Sequence, residues 1–288
     1  MKLLRRLSVA IIVLVLVAGT VAYVQQDGML FHPQTERVAP TQDYIEAVEI
    51  NTEDGETLVA WYSPAAQGCP TFLFMHGNAS RIDLDKWRYE RLHKHGAGFL
   101  ALSWRGYAGS TGRPGEKGFH RDAEAGWKWL LAHQIVASDV IIHGFSIGTG
   151  PATKLASSVD EGLLVLEAPF YSMEDLILTK APLAPTWLLL KHKFRSDRYI
   201  ASAGSPVFMA HGTADRVIPI EQSRRLYERA PESKAYKEFE GSDHNTLVRD
   251  GLYDALWPFI TANWTSSETF DDTSHCYLAV NSMMGASQ

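Results

Sequence analysis

Val140-Ile141-Ile142-His143-Gly144-Phe145-Ser146-Ile147-Gly148-Thr149-Gly150 is the stretch whose reading decides the fold. Val140 to His143 reads as a short buried strand, and Gly148 to Ser157 opens a helix, so Gly144-Phe145-Ser146-Ile147-Gly148 falls on a strand-to-helix turn. The glycines answer to crowding. A side chain at 144 or 148 would collide with the neighbouring strand or helix, while Ser146 on a sharp, strained turn keeps its hydroxyl clear of the sheet edge. The free N–H groups at the helix start also favour negative charge beside Ser146. A Gly-x-Ser-x-Gly match alone occurs in ordinary loops. Its weight comes from the strand before it, the helix after it and the residues that follow further along the chain.

Outward from this turn, strands and helices alternate. Tyr44 to Ile50 and Thr57 to Tyr62 flank Thr52-Glu53-Asp54-Gly55, a hairpin signal. Buried strands are expected at Thr71–Met75, Gly98–Ser103, Gly162–Glu167 and Pro206–Ala210, with a last strand at Ala235–Glu240. Helices are expected at Asp83–Lys94, Asp122–Gln134, Ile220–Ala230 and Leu247–Ala262. The pattern predicts an α/β fold with a mostly parallel central sheet and helices on both faces. With 45% hydrophobic and 21% charged residues among 288, the chain has ample material for a core. A net charge of −6 gives no basic face for nucleic acid. Cys69 and Cys276 form no Cys-x-x-Cys pair, which argues against a zinc site and leaves a disulfide open in an oxidising compartment.

Residues 1–24 read as a targeting or anchoring segment. Lys2, Arg5 and Arg6 precede an apolar run, and Leu7 to Val24 as a helix spans ~27 Å, just short of a bilayer's hydrocarbon core. Two readings stand: an uncleaved signal anchor, or a signal peptide cut after Thr20-Val21-Ala22. Either leaves the basic end in the cytoplasm and the remainder exported. Residues 25–43 read as an extended connector, 44–265 as the folded domain, and 266–288 as a polar, flexible tail.

Sheets of this kind bind ligands outside the C-terminal ends of their strands, so chemistry is sought just after each strand. His76-Gly77-Asn78-Ala79 follows one strand. A glycine there lets the main chain approach a developing alkoxide, and the N–H groups of Asn78 and Ile147 are the expected donors. Asp215 follows another strand, and its alternative role is to serve a turn. His244 lies past the last strand and before the last helix, the position of a general base, and completes the order Ser146, Asp215, His244. Asp243 is a rival acid, but as the neighbour of His244 in sequence its side chain is expected to point elsewhere.

On these residues the chain resembles the α/β-hydrolase superfamily, and within it the Bem46-type branch, related to membrane-associated α/β-hydrolase domain proteins. The likeness covers about Met29 to Trp264. It includes Met29-Leu30-Phe31-His32-Pro33, Arg105-Gly106-Tyr107-Ala108-Gly109-Ser110-Thr111-Gly112 and Glu167-Ala168-Pro169-Phe170, besides the segments already quoted. The branch usually has glycine where Ala108 stands. The resemblance implies an α/β-hydrolase fold with a short helical cap and a serine hydrolase acting through an acyl-enzyme on an ester or thioester. It implies no metal and no organic cofactor. A serine peptidase on the same fold and a non-catalytic membrane-anchored scaffold are the alternatives. The implied partners are a small-molecule or lipid-like acyl ester and the membrane that holds the N-terminal segment.

Residues about 170–205 between two strands are too long for an ordinary connection and are expected to form the cap. Their apolar content makes Tyr171, Leu183, Trp187 and Leu188 the expected lining of an acyl pocket. The consecutive leucines 188–190 cannot all be buried by one helical face, so the rest should line that pocket or touch the bilayer.

Overall fold

The structure is a computed structural model that describes residues 2–267 and Cys276. Eight strands run β1 Glu46–Asn51, β2 Thr57–Ser63, β3 Thr71–Met75, β4 Gly98–Leu102, β5 Val140–Phe145, β6 Leu163–Glu167, β7 Val207–Gly212 and β8 Lys234–Phe239. They form one sheet in the order β1-β2-β4-β3-β5-β6-β7-β8. β1 and β2 pair antiparallel, as do β2 and β4, and every later pair is parallel. The helices are α1 Lys2–Leu30, α2 Lys86–Lys94, α3 Glu116–Ala132, α4 Thr149–Ala156, α5 Met173–Lys180, α6 Thr186–Leu189, α7 Ser196–Tyr199, α8 Glu221–Glu228 and α9 Leu252–Asn263.

The central strands are apolar on both faces because both faces are covered. Alternate residues of β3 go to opposite sides. Leu73 and Met75 join Phe119 of α3 and Leu155 of α4 in one core, and Phe72 and Phe74 join Tyr89 of α2 and Leu256 of α9 in the other. From β3 the chain goes first to one neighbour, β4, and later returns to the other, β5. That reversal leaves a crevice beyond the C-terminal ends of β3 and β5, where the loop at His76–Ala79 and the turn at Ser146 face each other.

Three boundaries differ by five or six residues from those read in the sequence. α1 continues through residues 25–30, where an extended connector was expected, because Gln26 and Asp27 find partners on the fold: Lys191 N donates to Gln26 Oε1 at 2.7 Å and His192 Nε2 lies 2.9 Å from Asp27 Oδ1. α3 begins at Glu116 instead of Asp122, since the Glu116 carboxylate accepts the main-chain N–H groups of Lys193 and Phe194 and fixes the first turn. α9 begins at Leu252, five residues later than read. The hydroxyls of Ser242 and Thr246 both donate to Asp250, and Gly251 takes a left-handed φ of 101°, so this stretch is a compact turn.

The cap lies between β6 and β7 and holds α5, α6 and α7. Cys69 and Cys276 are joined in a disulfide with Cα atoms 5.7 Å apart. The tail read at 266–288 otherwise falls outside the described residues after Ser267.

One contact sets how tightly α4 meets β3. A Cβ placed on Gly148 would stand 2.2 Å from the Met75 carbonyl oxygen, whereas one on Gly204 meets nothing within 4 Å. Gly148→Ala is therefore expected to cost about 3 kcal/mol or more, and Gly204→Ala less than about 0.5 kcal/mol. Thermal unfolding of both variants checks this, and equal melting temperatures would contradict the close approach.

Candidate active site

Ser146 follows β5 with φ 53°, a left-handed conformation that a non-glycine residue holds only under constraint. The constraint is visible on both sides. A Cβ on Gly144 would fall 2.6 Å from the Gly148 carbonyl oxygen, and one on Gly148 would strike β3. The turn can form only with glycines at both ends, and it leaves Ser146 almost buried at 7% exposure.

His244 arrives from the compact turn between β8 and α9. Its Nε2 lies 2.9 Å from Ser146 Oγ, and its Nδ1 lies 2.6 Å from Asp215 Oδ2. Asp215, in the loop after β7, is fixed in turn. Its Oδ1 accepts the N–H groups of Val217 at 2.8 Å and Ile218 at 2.9 Å. Burial would raise the Asp215 carboxyl, but hydrogen bonds from His211 and His244 and the charge of His244 outweigh it and hold the group well below the usual carboxylate range. Asp243 does not reach the ring. Its side chain accepts the main-chain N–H of His244 and so shapes the turn instead.

The loop after β3 closes over this chain of side chains. A Cβ on Gly77 would lie 2.9 Å from the Phe145 ring and 3.4 Å from Ser146 Cβ, so only glycine lets the main chain pass so near. His76 is fully buried, with Nδ1 2.7 Å from the Gly77 carbonyl oxygen. Burial lowers its pKa to about 4, which keeps the ring neutral near pH 7. The Asn78 side chain is held at three points: Nδ2 donates to Leu30 O at 2.6 Å, and Oδ1 accepts from His32 N at 3.1 Å and Tyr107 Oη at 2.8 Å. Asn78 thus connects the end of α1 to the loop beside Ser146. Ile147 follows Ser146 in the short 3-10 turn that leads into α4.

A cleft of about 390 Å³ opens beside Phe145 and Asn78, with Leu84, Trp87 and Val248 among its walls. Its floor is charged. Arg88 Nη2 lies 2.8 Å from Glu167 Oε2, both side chains being 3% exposed, and Arg88 Nη1 donates to Tyr253 Oη at 3.2 Å. Burial opposes ionisation of Glu167, but the Arg88 charge prevails and lowers its pKa. His143, 3.4 Å from the same oxygen, is pushed by burial down to about 4. Among the described residues no group of three or more His, Cys, Asp or Glu is arranged to hold a metal ion.

The sequence-read residues Ser146, Asp215 and His244 therefore meet in one hydrogen-bonded chain, with Asn78 and Ile147 at its edge. The cap residues do not join them. Leu183, Trp187 and Leu188 are 97%, 72% and 62% exposed, so they line no enclosed acyl pocket. Trp187 and Leu188 lie on the four-residue α6, and Leu183 lies between Pro182 and Pro185 just before it. Tyr171 turns instead to α8, with Arg225 4.2 Å above its ring and Arg229 bonded to its hydroxyl. Sequence reading missed His211, whose Nε2 lies 3.1 Å from Asp215 Oδ2 and 2.9 Å from Ile218 O, although its place on the same strand end, four residues before Asp215, was a signal. It also missed the side-chain role of Asn78, which depends on contacts distant in sequence.

No protein-family model matches the chain. It is 32% identical over 272 residues to an uncharacterized protein of Mycobacterium tuberculosis (strain CDC 1551 / Oshkosh), covering 91% of this chain and 97% of that one. It is 30% identical over 217 residues to the alpha/beta hydrolase domain-containing protein 17B of Homo sapiens, covering 74% of this chain and 73% of that one. Among solved structures, the Pyrococcus furiosus esterase Pf2001 superposes with a TM-score of 0.65 at 20% identity, over 82% of this chain and 98% of that one.

Tyr107→Phe removes one of the two donors to Asn78 Oδ1 and should loosen the loop beside Ser146. Hydrolysis of a p-nitrophenyl ester is expected to show kcat lowered roughly tenfold with KM little changed. An unchanged kcat would mean that Leu30 and His32 hold Asn78 without it.

Proposed function

The chain belongs to the α/β-hydrolase domain-containing family, and from that membership we propose that it is a serine hydrolase of ester or thioester bonds, tethered to a membrane by α1. The observation that carries the reading is the continuous hydrogen-bonded chain Ser146–His244–Asp215. In the proposed reaction His244 Nε2 takes the Ser146 proton as Oγ attacks the substrate carbonyl carbon. The Asp215 carboxylate keeps Nδ1 protonated, orients the ring and stabilises the imidazolium. The oxyanion is received by the main-chain N–H groups of Asn78 and Ile147, whose fixed positions remove any cost of reorganising water around the new charge. As the bond to the leaving group breaks, His244 returns the proton to that group, and an acyl-serine remains. Water then attacks the acyl carbon with His244 again as base, releasing the acid and restoring Ser146.

Membrane tethering is supported by α1, which is long and apolar enough to cross a bilayer. Lys2, Arg5 and Arg6 at its start favour a cytoplasmic N-terminus and an exported domain. A disulfide between Cys69 and Cys276 suits an oxidising exterior.

Two outcomes are expected. A fluorophosphonate probe should modify Ser146, and Ser146→Ala should abolish the labelling. Asp215→Asn should fold normally and lose about 10⁴ in kcat, the scale of the corresponding change in the best-studied triad, while Asp243→Asn loses far less. Labelling that survives in Ser146→Ala, or a reversed order of the two aspartates, would refute the assignment. For the topology, protease added to intact spheroplasts should digest the domain. Protection until lysis would place it on the cytoplasmic side.

A further inference from the structure

We propose that the cap around Leu183, Trp187 and Leu188 is a bilayer-contacting surface, seated in the leaflet that α1 crosses. This rests on the reading of α1 as a membrane anchor. The apolar run of α1 ends near Val24, yet the cap meets the helix inside that run: the Leu189 Cδ1 atom lies 3.8 Å from where a Cβ on Gly19 would stand. Gly19 is about 7–8 Å below Val24 along the helix axis, at a rise of ~1.5 Å per residue. From there the cap follows the helix upward. Gln26 Nε2 donates to Leu189 O at 2.9 Å, Lys191 Nζ sits 4.7 Å from the Tyr23 ring centre, and His192 meets Asp27. With α1 across the bilayer, α6 lies at the boundary between headgroups and hydrocarbon.

The chemistry of this surface matches that depth. Leu183, Trp187 and Leu188 face outward together, where a water-facing fold would normally bury or scatter them. The stretch from 181 to 193 contains no carboxylate and carries Lys191 and Lys193. Tryptophan and tyrosine at the boundary, leucine below and lysine reaching upward is the arrangement of an interfacial segment. The surface also connects to the reactive centre. Phe194, next after Lys193, packs so closely on α4 that a Cβ on Gly150 would lie 2.8 Å from its ring. The substrate class this favours is an ester whose acyl chain partitions into the bilayer.

The test uses the full-length protein in vesicles of phosphatidylcholine and phosphatidylglycerol. Phosphatidylcholine brominated near the headgroup end of its chains should quench wild-type tryptophan fluorescence more than that of Trp187→Phe. Equal quenching would overturn the proposal. In the same vesicles, the double variant Leu183→Ser, Leu188→Ser should lose roughly tenfold in kcat/KM on a bilayer-resident fluorogenic ester, while p-nitrophenyl acetate in water changes less than about twofold. Equal losses on both esters would also overturn it, since they would mark a structural role. A wild-type protein inert toward both esters would refute the hydrolase reading, and the quenching contrast would still decide the surface.

Discussion

The close passage of Gly148 over the end of β3 is the constraint on which the rest of the site depends. Residue 148 has no room for a side chain against the Met75 carbonyl, so α4 can begin directly over the sheet. That placement forces the preceding turn to be sharp, which puts Ser146 in a left-handed conformation and directs its hydroxyl into the crevice. The same crowding brings Gly77 against Phe145. Two loops that leave different strands are thus held at one point by the absence of three side chains, at 77, 144 and 148.

Burial then distributes charge among the polar groups near that point. His76 and His143 are fully enclosed, and burial keeps both neutral near pH 7, at His143 against the pull of the Glu167 carboxylate 3.4 Å away. Asp215 is enclosed with two histidines and two main-chain donors and stays ionised. Glu167 is ionised through Arg88. The carboxylate behind His244 is therefore a fixed negative charge in a site screened little by water, the condition under which an imidazolium is best stabilised. Arg88 serves a different end: it lies 4.5 Å from the Phe74 ring centre and supports the floor beneath the neighbouring cleft.

The strands and the residues at their ends were legible because each rests on local rules: apolar runs, glycines at a forced turn, and polar residues directly after a strand. Ser146, Asp215 and His244 could be placed on one face from chain order alone. What was not legible depends on contacts between distant segments. Nothing near Gln25 announces that Gln26 and Asp27 will find Lys191 and His192, so the helix was ended too early. Leu247 to Asp250 run without a break in the sequence pattern into α9, but two hydroxyls on Asp250 and the left-handed Gly251 hold them in the turn that carries His244. The apolar content of the cap made Leu183, Trp187 and Leu188 the expected lining of an acyl pocket, with contact to the bilayer as the other reading for the leucines that one helical face cannot bury. Leu189, next to Leu188, meets α1 at Gly19 and Gln26, a contact that no hydropathy pattern contains.

The most direct test of the central claim is a crystal structure of the fluorophosphonate adduct. The account predicts phosphorus bonded to Ser146 Oγ, His244 Nε2 still within hydrogen-bond reach of that oxygen, and the phosphonyl oxygen between the main-chain nitrogens of Asn78 and Ile147 at about 2.7–3.1 Å. An adduct on another residue, or a phosphonyl oxygen turned away from both nitrogens, would contradict it.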